Sequence, residues 1–464
     1  MHLFMRERDP HDELWNGPRT GVHQSRDIFG ADEVSDINEF PRALRSALKK
    51  ASHVYADLRP YGDYSSQRPF RKPSKSFLAY ITRAVTSSDD EAAEDILKRA
   101  HPQSLLDRVA PLRKIKSPAE RKLMRQAGDV SGTAHAKTMR FAQSAQSEAQ
   151  LAAHFEYFCA LKGAQRPAYV PVVASGANAL IIHYTNNDCL LKLNELVLMD
   201  AGCELNGYAS DITRTFPVGP SGSFSAPQKE LYAAVLGVQK ELISLCTENA
   251  RQSLNSLHAK SVEGLGKALT RIGFDLGPGN RRLDRLYPHF LSHPIGIDLH
   301  ETNGQRHQYL VEGQVITIEP GVYVPPDPVF PKWFHNIGIR IEDEVLVDQD
   351  GAHILTVNAP KEIADIEAGR SEEHPDGIPP LCPVSSLAAR HDHTHRHQSV
   401  SHVSITSDGP NGLRSVPAAC TALAYTKPRP LPHLPPDHLR LCPQRFILVF
   451  IFDTTKWKRK LLLS

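Results

Sequence analysis

The sequence has few cysteines, and none of them lie in the spacing that metal or redox sites use. Its seven cysteines are spread over 464 residues, and no CxxC pair occurs. An odd, dispersed set of this kind argues against a disulfide framework and against a cysteine zinc site. A reducing compartment therefore suits the sequence best.

Long apolar runs and a strong charge of one sign are also missing. The longest apolar run, FILVFIF at 446–452, falls far short of the roughly 20 residues of a membrane span. The net charge is +2 and the basic residues are dispersed, so no strong field attracts nucleic acid or an anionic membrane. The opening MHLFMRERDP has charges where a signal peptide is apolar. We expect neither nucleic acid nor membrane as a partner.

The length allows more than one domain, and composition divides the chain into three parts. Residues 1–110 read as a mixed α/β segment, with HVYADL as a strand and FPRALRSALKKA and EAAEDILKRA as amphipathic helices. This segment starts abruptly, and we expect it to be a partial domain. Residues 111–368 hold the motifs described below. Residues 369–464 are rich in Pro, His and Ser without periodicity, which predicts disorder and solvated histidines.

Capping patterns predict the main helices of the middle part. Three serines lie three residues before a Glu or Gln, which is the spacing of a helix capping box. They are Ser117 before Glu120, Ser147 before Gln150, and Ser225 before Gln228. The first should start a long helix, the second should end at Gly163, and the third should reach about Cys246. A further helix is expected over 257–272.

The stretch DAGCELNGYASD, residues 200–211, places two carboxylates on either side of one turn. Asn206-Gly207 between apolar, β-branched flanks predicts an antiparallel hairpin. With a period of two, Asp200 and Asp211 should lie opposite or diagonal on one face. Like charges so placed repel unless a cation lies between them. Two solvated hairpin carboxylates are the simpler alternative for this stretch alone.

Histidines form the second candidate group. His183 lies in an apolar, strand-like stretch before a polar turn, where a core or edge histidine is also expected. The stretch YPHFLSHPIGIDLHE carries His289, His293 and His300 among apolar residues. Neutral imidazole is a good metal ligand and proton shuttle. By itself the cluster leaves a site and a structural role equally open.

Two further apolar strands carry one glutamate each. In VITIEPGVYV, Glu319 faces away from the isoleucines, and in IGIRIEDEVLV Arg340 and Glu342 do so. A carboxylate in an apolar strand is costly to bury without a partner. An Arg340–Glu342 ion pair is the structural alternative to a site.

Together, Asp200, Asp211, His293, Glu319 and Glu342 supply four carboxylates and one imidazole. An oxygen-rich set favours Mn²⁺ or Mg²⁺ over structural zinc. Five ligands are too many for one open catalytic ion. With bridging carboxylates they suit two ions about 3.5 to 4 Å apart that hold a hydroxide between them.

The segments DAGCELNGYASDITRTFP, SHPIGIDLHE, ITIEPGVYV and IGIRIEDE resemble the successive signatures of the pita-bread metallopeptidases, in the aminopeptidase P and prolidase branch. The resemblance covers roughly residues 110–368. It implies an α/β (α+β) fold, with a pita-bread catalytic domain preceded by a partial mixed α/β amino-terminal domain. It also implies that Asp200 and Asp211 chelate one ion, that Asp211 bridges to a second ion completed by His293 and Glu319, and that Glu342 bridges both. The ions are expected to be two Mn²⁺.

Supporting residues follow from the same resemblance. His183 matches a histidine that assists near the substrate, and His289 one that lines the pocket. His300 matches a histidine that contacts the scissile peptide. Tyr323 and Arg340 match positions that line the pocket or orient a ligating carboxylate.

The front of the chain, LFMRERDPHDELWNGPRTG, resembles part of the amino-terminal domain of mitochondrial and fungal family members related to intermediate cleaving peptidase. This implies a mitochondrial location, with the cytoplasm as the alternative. It also raises a homodimer as a hypothesis.

The reaction implied is metal-dependent removal of the amino-terminal residue of a peptide, often one with proline second, with Glu319 as proton acceptor. The metals and His300 would stabilise the oxyanion. The GYASDITRTFP and IRIED forms point away from methionine aminopeptidase. A prolidase-like dipeptidase and a non-catalytic pita-bread binding protein are the alternatives.

Overall fold

The computed structural model describes residues 1–40, 42–43, 46, 105–301 and 306–368. Most of the predicted helix at 40–51, the predicted strand at 53–58, the predicted helix at 91–100 and the predicted disordered tail at 369–464 lie outside these residues. Within them, no helix is long and apolar enough to cross a membrane.

The first forty residues form a small α/β unit, as the sequence predicts. Strand β1 (His2–Met5) pairs in parallel with β2 (Glu33–Asp36), in the register His2 to Glu33. Helices α1 (Pro10–Asn16) and α2 (Gly21–Phe29) form the crossover between them. The Asp9 carboxylate caps α1 by accepting hydrogen bonds from two backbone N–H groups.

The predicted helices of the middle part are confirmed at their caps. Ser117 and Glu120 form a reciprocal capping box, with Pro118 in the first turn, and Ser147 accepts a hydrogen bond from the Gln150 N–H. The helix expected over 257–272 begins three residues earlier. The helices are α3 (Leu105–Lys114), α4 (Pro118–Phe141), α5 (Glu148–Leu161), α6 (Ala226–Ser244), α7 (Leu254–Arg271) and α8 (Ile363–Ala368).

The predicted aspartate hairpin is present, but it is divided between two sheets. Its strands are β5 (Leu196–Asp200), β6 (Cys203–Leu205), β7 (Tyr208–Ala209) and β8 (Thr213–Pro217). Asn206 and Gly207 have φ values of 49° and 85°, as a two-residue hairpin turn of this type requires. In this register Asp200 lies opposite Thr213, so Asp211 is its diagonal neighbour.

The expected continuous ladder breaks at the aspartates. Strand β5 pairs with β8 and with β4 (Val172–Ser175), whereas β6 pairs with β7 and with β3 (Arg166–Pro167). The break leaves a gap between the two sheets, but the strands pair in the same register on both sides of it. Asp200 lies opposite Thr213 on one side, and Glu204 lies opposite Ala209 on the other.

The two glutamate strands are interrupted in the same way, which corrects the prediction of two continuous strands. They form β9 (Val315–Ile318), β10 (Gly321–Val324), β11 (Ile337–Arg340) and β12 (Asp343–Val347). Strand β9 pairs with β12, which also pairs with β13 (Ala352–Ile354), and β10 pairs with β11. Pro320 has no N–H for the ladder, and the strand ends just before Glu319.

Both glutamates therefore lie in the gap between two sheets. Ile318 opposes Asp343 on one side of the gap, and Gly321 opposes Arg340 on the other, so Glu319 and Glu342 occupy facing positions of one register. Helices α4 and α5 pack together, as do α6 and α7. One apolar core joins these helices to the strands and includes Phe155, Val197, Leu236, Ile318 and Ile339.

We predict that Gly202→Ala strongly destabilises the protein. Gly202 lies between β5 and β6, and a Cβ built there would overlap the backbone carbonyl of Ser210. Backbone atoms cannot rotate away as a side chain can, so we expect a loss of roughly 2–3 kcal/mol or more in the free energy of unfolding. Urea unfolding followed by circular dichroism measures it.

The matched control is Gly237→Ala on α6, where the new Cβ meets nothing within 4 Å. A helical Gly→Ala change of this kind should stabilise the protein by about 0.5–1 kcal/mol. Equal stability of the two variants would contradict the crowding argument at Gly202.

Candidate dinuclear metal site

The structure brings the five predicted metal ligands together at the two ladder gaps. Ligand atoms of Asp200, Asp211 and Glu342 lie within 4.8 Å of one another, and those of His293, Glu319 and Glu342 do so as well. Glu342 belongs to both groups. Asp211 Oδ2 lies 3.3 Å from His293 Nε2, which connects the groups a second time. The arrangement can hold two cations that share carboxylates.

The tautomer of His293 directs a lone pair toward the carboxylates. His293 Nδ1 lies 3.1 Å from the Pro294 carbonyl oxygen, which can only accept, so Nδ1 must donate. Nε2 then faces Asp211 Oδ2 at 3.3 Å and Glu319 Oε1 at 3.7 Å. Burial lowers the pKa of His293, but the hydrogen bond to Asp211 and the charge of Glu319 raise it more, so these carboxylates favour a proton on Nε2. A metal ion would replace that proton.

The carboxylates repel one another. Burial raises the pKa of Glu342 well above its usual range, and the charges of Asp211 and Glu319 raise it further. Burial also raises the pKa of Glu319, to about 8. The pKa of Asp211 is lowered, because hydrogen bonds from His293 and Tyr169 outweigh burial. Two divalent cations would offset this repulsion, so the residues present are suited to such ions.

Arg340 connects the ligands to the other predicted residues. Its Nη2 donates to Asp200 Oδ2 at 2.6 Å, and its Nη1 donates to the Tyr323 hydroxyl at 2.7 Å. Tyr323 donates in turn to His289 Nε2 at 2.9 Å, because Nδ1 of that ring donates to the Phe290 carbonyl. Burial and the charge of Arg340 lower the pKa of His289 to about 3, which keeps its ring neutral. Arg340 thus forms its ion pair with the ligand Asp200, and not with Glu342 as the structural alternative required.

His300 and His183 are exposed at the site. The His300 ring packs edge-on against His293, with centroids 4.3 Å apart. One of its ring nitrogens lies within 4.8 Å of ligand atoms of both Asp211 and His293. The residue as a whole is exposed, but desolvation of its ring among the neighbouring site residues, followed by the charge of His293, lowers the pKa of His300 to about 4. The expectation that His183 lies in a strand is wrong, because it lies in a turn that follows a 3₁₀ segment at Gly176–Leu180.

The turn that carries His183 is anchored by Glu148. This fully buried carboxylate at the start of α5 accepts from Ser175 N and Oγ at 2.7 Å, and from Asn178 Nδ2 at 2.9 Å. It also accepts from the Tyr184 hydroxyl and the Cys189 N–H. Since one carboxylate takes all these donors, the segment bends around it instead of extending as a strand.

Three residues that contact the ligands were missed by sequence reasoning. The Tyr169 hydroxyl lies 2.5 Å from Asp200 Oδ1 and 2.6 Å from Asp211 Oδ1. Thr213 donates to Glu342 Oε2 at 2.6 Å, and Thr317 donates to Glu319 Oε1 at 3.3 Å. Strand alternation places both threonines on the ligand face, which was a usable signal. No local pattern marks Tyr169.

Comparison with known proteins agrees with this geometry. The model for metallopeptidase family M24 matches residues 122–349, and the model for the aminopeptidase P N-terminal domain matches residues 1–55. Intermediate cleaving peptidase 55 of Saccharomyces cerevisiae is 38% identical over 370 residues, which cover 79% of this chain and 69% of that protein. Human Xaa-Pro aminopeptidase 3 is 38% identical over 372 residues, with the same coverage.

Solved structures give the same result. The crystal structure of Icp55 from Saccharomyces cerevisiae, lacking 58 N-terminal residues, aligns with a TM-score of 0.67 at 37% identity and covers 79% of this chain and 80% of that one. Pseudomonas aeruginosa aminopeptidase PepP aligns with a TM-score of 0.67 at 33% identity, covering 80% and 82%. Another Icp55 structure is bound to the inhibitor apstatin.

We predict that Asp211→Asn leaves a folded protein that binds far less divalent metal. The amide keeps the shape but removes a charge from the oxygens nearest both ligand groups. Metal content after dialysis, measured by mass spectrometry, should fall well below that of the unchanged chain. Glu230→Gln, an exposed carboxylate on α6, is the control and should keep full content. Normal metal content in Asp211→Asn would contradict the ligand arrangement.

We also predict that metal binding releases protons. The raised pKa values of Glu319 and Glu342 mean that protons compete with the cation, so apparent affinity should increase as pH rises from about 6 to 8. Calorimetric titrations in buffers of different ionisation enthalpy count the protons released. Affinity that is independent of pH over this range would contradict the direction of these shifts.

Proposed function

The chain belongs to metallopeptidase family M24, in its aminopeptidase P branch, and we propose that it is a metal-dependent Xaa-Pro aminopeptidase. It shares the pita-bread fold of its solved relatives. The observation that carries the proposal is the pair of ligand groups that share Glu342. Such a shared set is suited to two ions acting on one peptide bond.

We assign the ligands as follows. Asp200 and Asp211 would hold one ion, and His293 and Glu319 would hold the other. Asp211 and Glu342 would contribute to both. Four of the five side chains offer carboxylate oxygen, which favours Mn²⁺ as the resident ion. Tyr169, Thr213 and Thr317 orient the carboxylates through the hydrogen bonds described above.

The ions would supply Lewis-acid chemistry, lowering the pKa of a bound water molecule and polarising the substrate carbonyl. Glu319 would accept a proton of the attacking water through its carboxylate. It then gives the proton to the imino nitrogen of the departing proline. His300 is neutral above about pH 4 and donates a hydrogen bond to the carbonyl oxygen as negative charge develops there.

The other named residues bind and orient the substrate. His289 and Tyr323 form the pocket wall, and the hydrogen bond from Arg340 fixes the Tyr323 hydroxyl. We assign His183 to the substrate side of the site, because its charge lowers the pKa values of His289 and His300. The substrate class is peptide and protein amino termini.

We propose a mitochondrial location for the enzyme. The support comes from relatives, including the mitochondrial intermediate cleaving peptidase 55 of Arabidopsis thaliana, which is 37% identical over 396 residues and covered to 75%. A homodimer remains a hypothesis that gel filtration with light scattering tests.

We predict Mn²⁺-dependent release of the first residue from an Xaa-Pro-Xaa tripeptide, followed by chromatography of the products. Glu319→Gln should reduce kcat by at least about 10²-fold, because the amide neither accepts the proton nor carries the charge that would hold the ion. The control Glu263→Gln changes an exposed glutamate on α7 and should keep full activity. Cleavage of Xaa-Pro dipeptides alone would favour the dipeptidase. Inactivity of folded, metal-loaded protein toward both substrates would favour a binding protein.

A further inference from the structure

A buried ion pair lies beside the site, and in the described part of the chain its two charged groups bond to each other and not to a proposed metal ligand. Lys116 Nζ lies 2.9 Å from Glu301 Oε2, and the two side chains are only 2% and 7% exposed. Lys116 immediately precedes the cap of α4, and its backbone is fixed by hydrogen bonds to Gly313 and Arg121. Glu301 immediately follows His300. The pair thus joins a rigid helix start to the segment that carries His300.

The segment from His293 to His300 closes on itself at the same place. The Pro294 carbonyl accepts both from His293 Nδ1 and from the Glu301 N–H, at 3.1 and 3.0 Å. Gly296 packs directly on the ion pair, since a Cβ there would lie 2.5 Å from Glu301 Oε1 and 3.1 Å from Lys116 Cε. The Glu301 side chain is therefore one of the contacts that hold the closed segment against the rest of the protein, beside the hydrogen bond that the Gly296 carbonyl accepts from the Ala209 N–H.

Burial of two charges is an expensive way to gain stability. A buried ion pair can often be replaced by apolar residues of similar volume at no cost, because desolvation offsets the attraction. Unlike apolar packing, an ion pair fixes the direction and the distance between two atoms. That is useful where an adjacent side chain must be held accurately.

We propose that Lys116 is a positioning residue that holds His300 over the reacting peptide bond through Glu301. The inference rests on the proposed function, in which His300 contacts the substrate. His300 is exposed, and its ring packs against the ring of His293. His293 has anchors of its own, because its N–H donates to Thr317 Oγ1 and its ring to Pro294. Loss of the ion pair should therefore move His300 and leave metal binding intact.

The first test is Lys116→Met, assayed on the Xaa-Pro-Xaa tripeptide. Misplacement of His300 by a fraction of an ångström to 1 Å should lower kcat roughly 10- to 100-fold. KM and metal content should stay within about twofold of the unchanged enzyme. The control is Lys267→Met, which breaks an exposed Lys–Glu pair on α7 and should change nothing. Unchanged kcat in Lys116→Met would overturn the proposal.

A second variant separates positioning from stability. Lys116→Met combined with Glu301→Leu buries no unpaired charge, so it should melt near the temperature of the unchanged protein. We expect kcat to remain at least about tenfold low in this variant. Recovery of normal kcat would show that the pair only avoids an unpaired charge, and the proposal would fail.

A double-mutant cycle with His300→Ala identifies the route of the effect. If Lys116 acts through His300, the apolar pair should cost almost nothing further in kcat once the imidazole is gone. Multiplying losses would overturn the proposal. Failure of the proposed function would be seen separately, as inactivity of the unchanged, metal-loaded chain.

Discussion

The buried ion pair between Arg214 and Asp343 joins the two hairpins directly behind the metal ligands. Arg214 Nη2 lies 2.6 Å from Asp343 Oδ1, and the side chains are 0% and 1% exposed. Arg214 also donates to the backbone carbonyl of Glu342 at 2.5 Å. Since Thr213 and Glu342 are the chain neighbours of this pair, the separation of the two ligand-bearing segments depends on it.

Glu342 and Asp343 are neighbours in the chain, yet their pKa values shift in opposite directions. Strand alternation puts the two side chains on opposite faces with different surroundings. Asp343 is also buried, but the charges of Arg214 and Lys361 bring its pKa down to about 2. Glu342, one residue earlier, faces other acids, and its pKa is raised. One side of the strand thus provides a neutralised structural acid, and the other provides an acid that lacks sufficient positive charge until cations bind.

Much of the fold follows from local patterns in the sequence. The caps at Ser117, Ser147 and Ser225 and the turn at Asn206-Gly207 depend on residues close in the chain, so they were predictable. Residue chemistry and family resemblance predicted the five ligand positions, and the structure brings these residues together.

What the sequence did not reveal depends on contacts between distant residues. The bend around Glu148 overrides the apolar, strand-like pattern near His183, because its donors lie 27 to 41 positions away. Tyr169 lies close before β4 in the chain, and the pairing of β4 with β5 brings it next to Asp200. Lys116 and Glu301 are 185 residues apart and adjoin no shared motif. Contacts between residues so far apart in the chain are set by tertiary packing, and no short stretch of the sequence predicts them.

The interrupted ladders give the site a mechanical role. On each hairpin, the strands before and after the gap belong to different sheets, yet their register is the same. Any sliding of one sheet against the other would change the distance between ligands contributed from the two sides. Ions bound in the gaps would resist that shear. Metal occupancy and the stiffness of the surrounding β-structure are therefore expected to increase together.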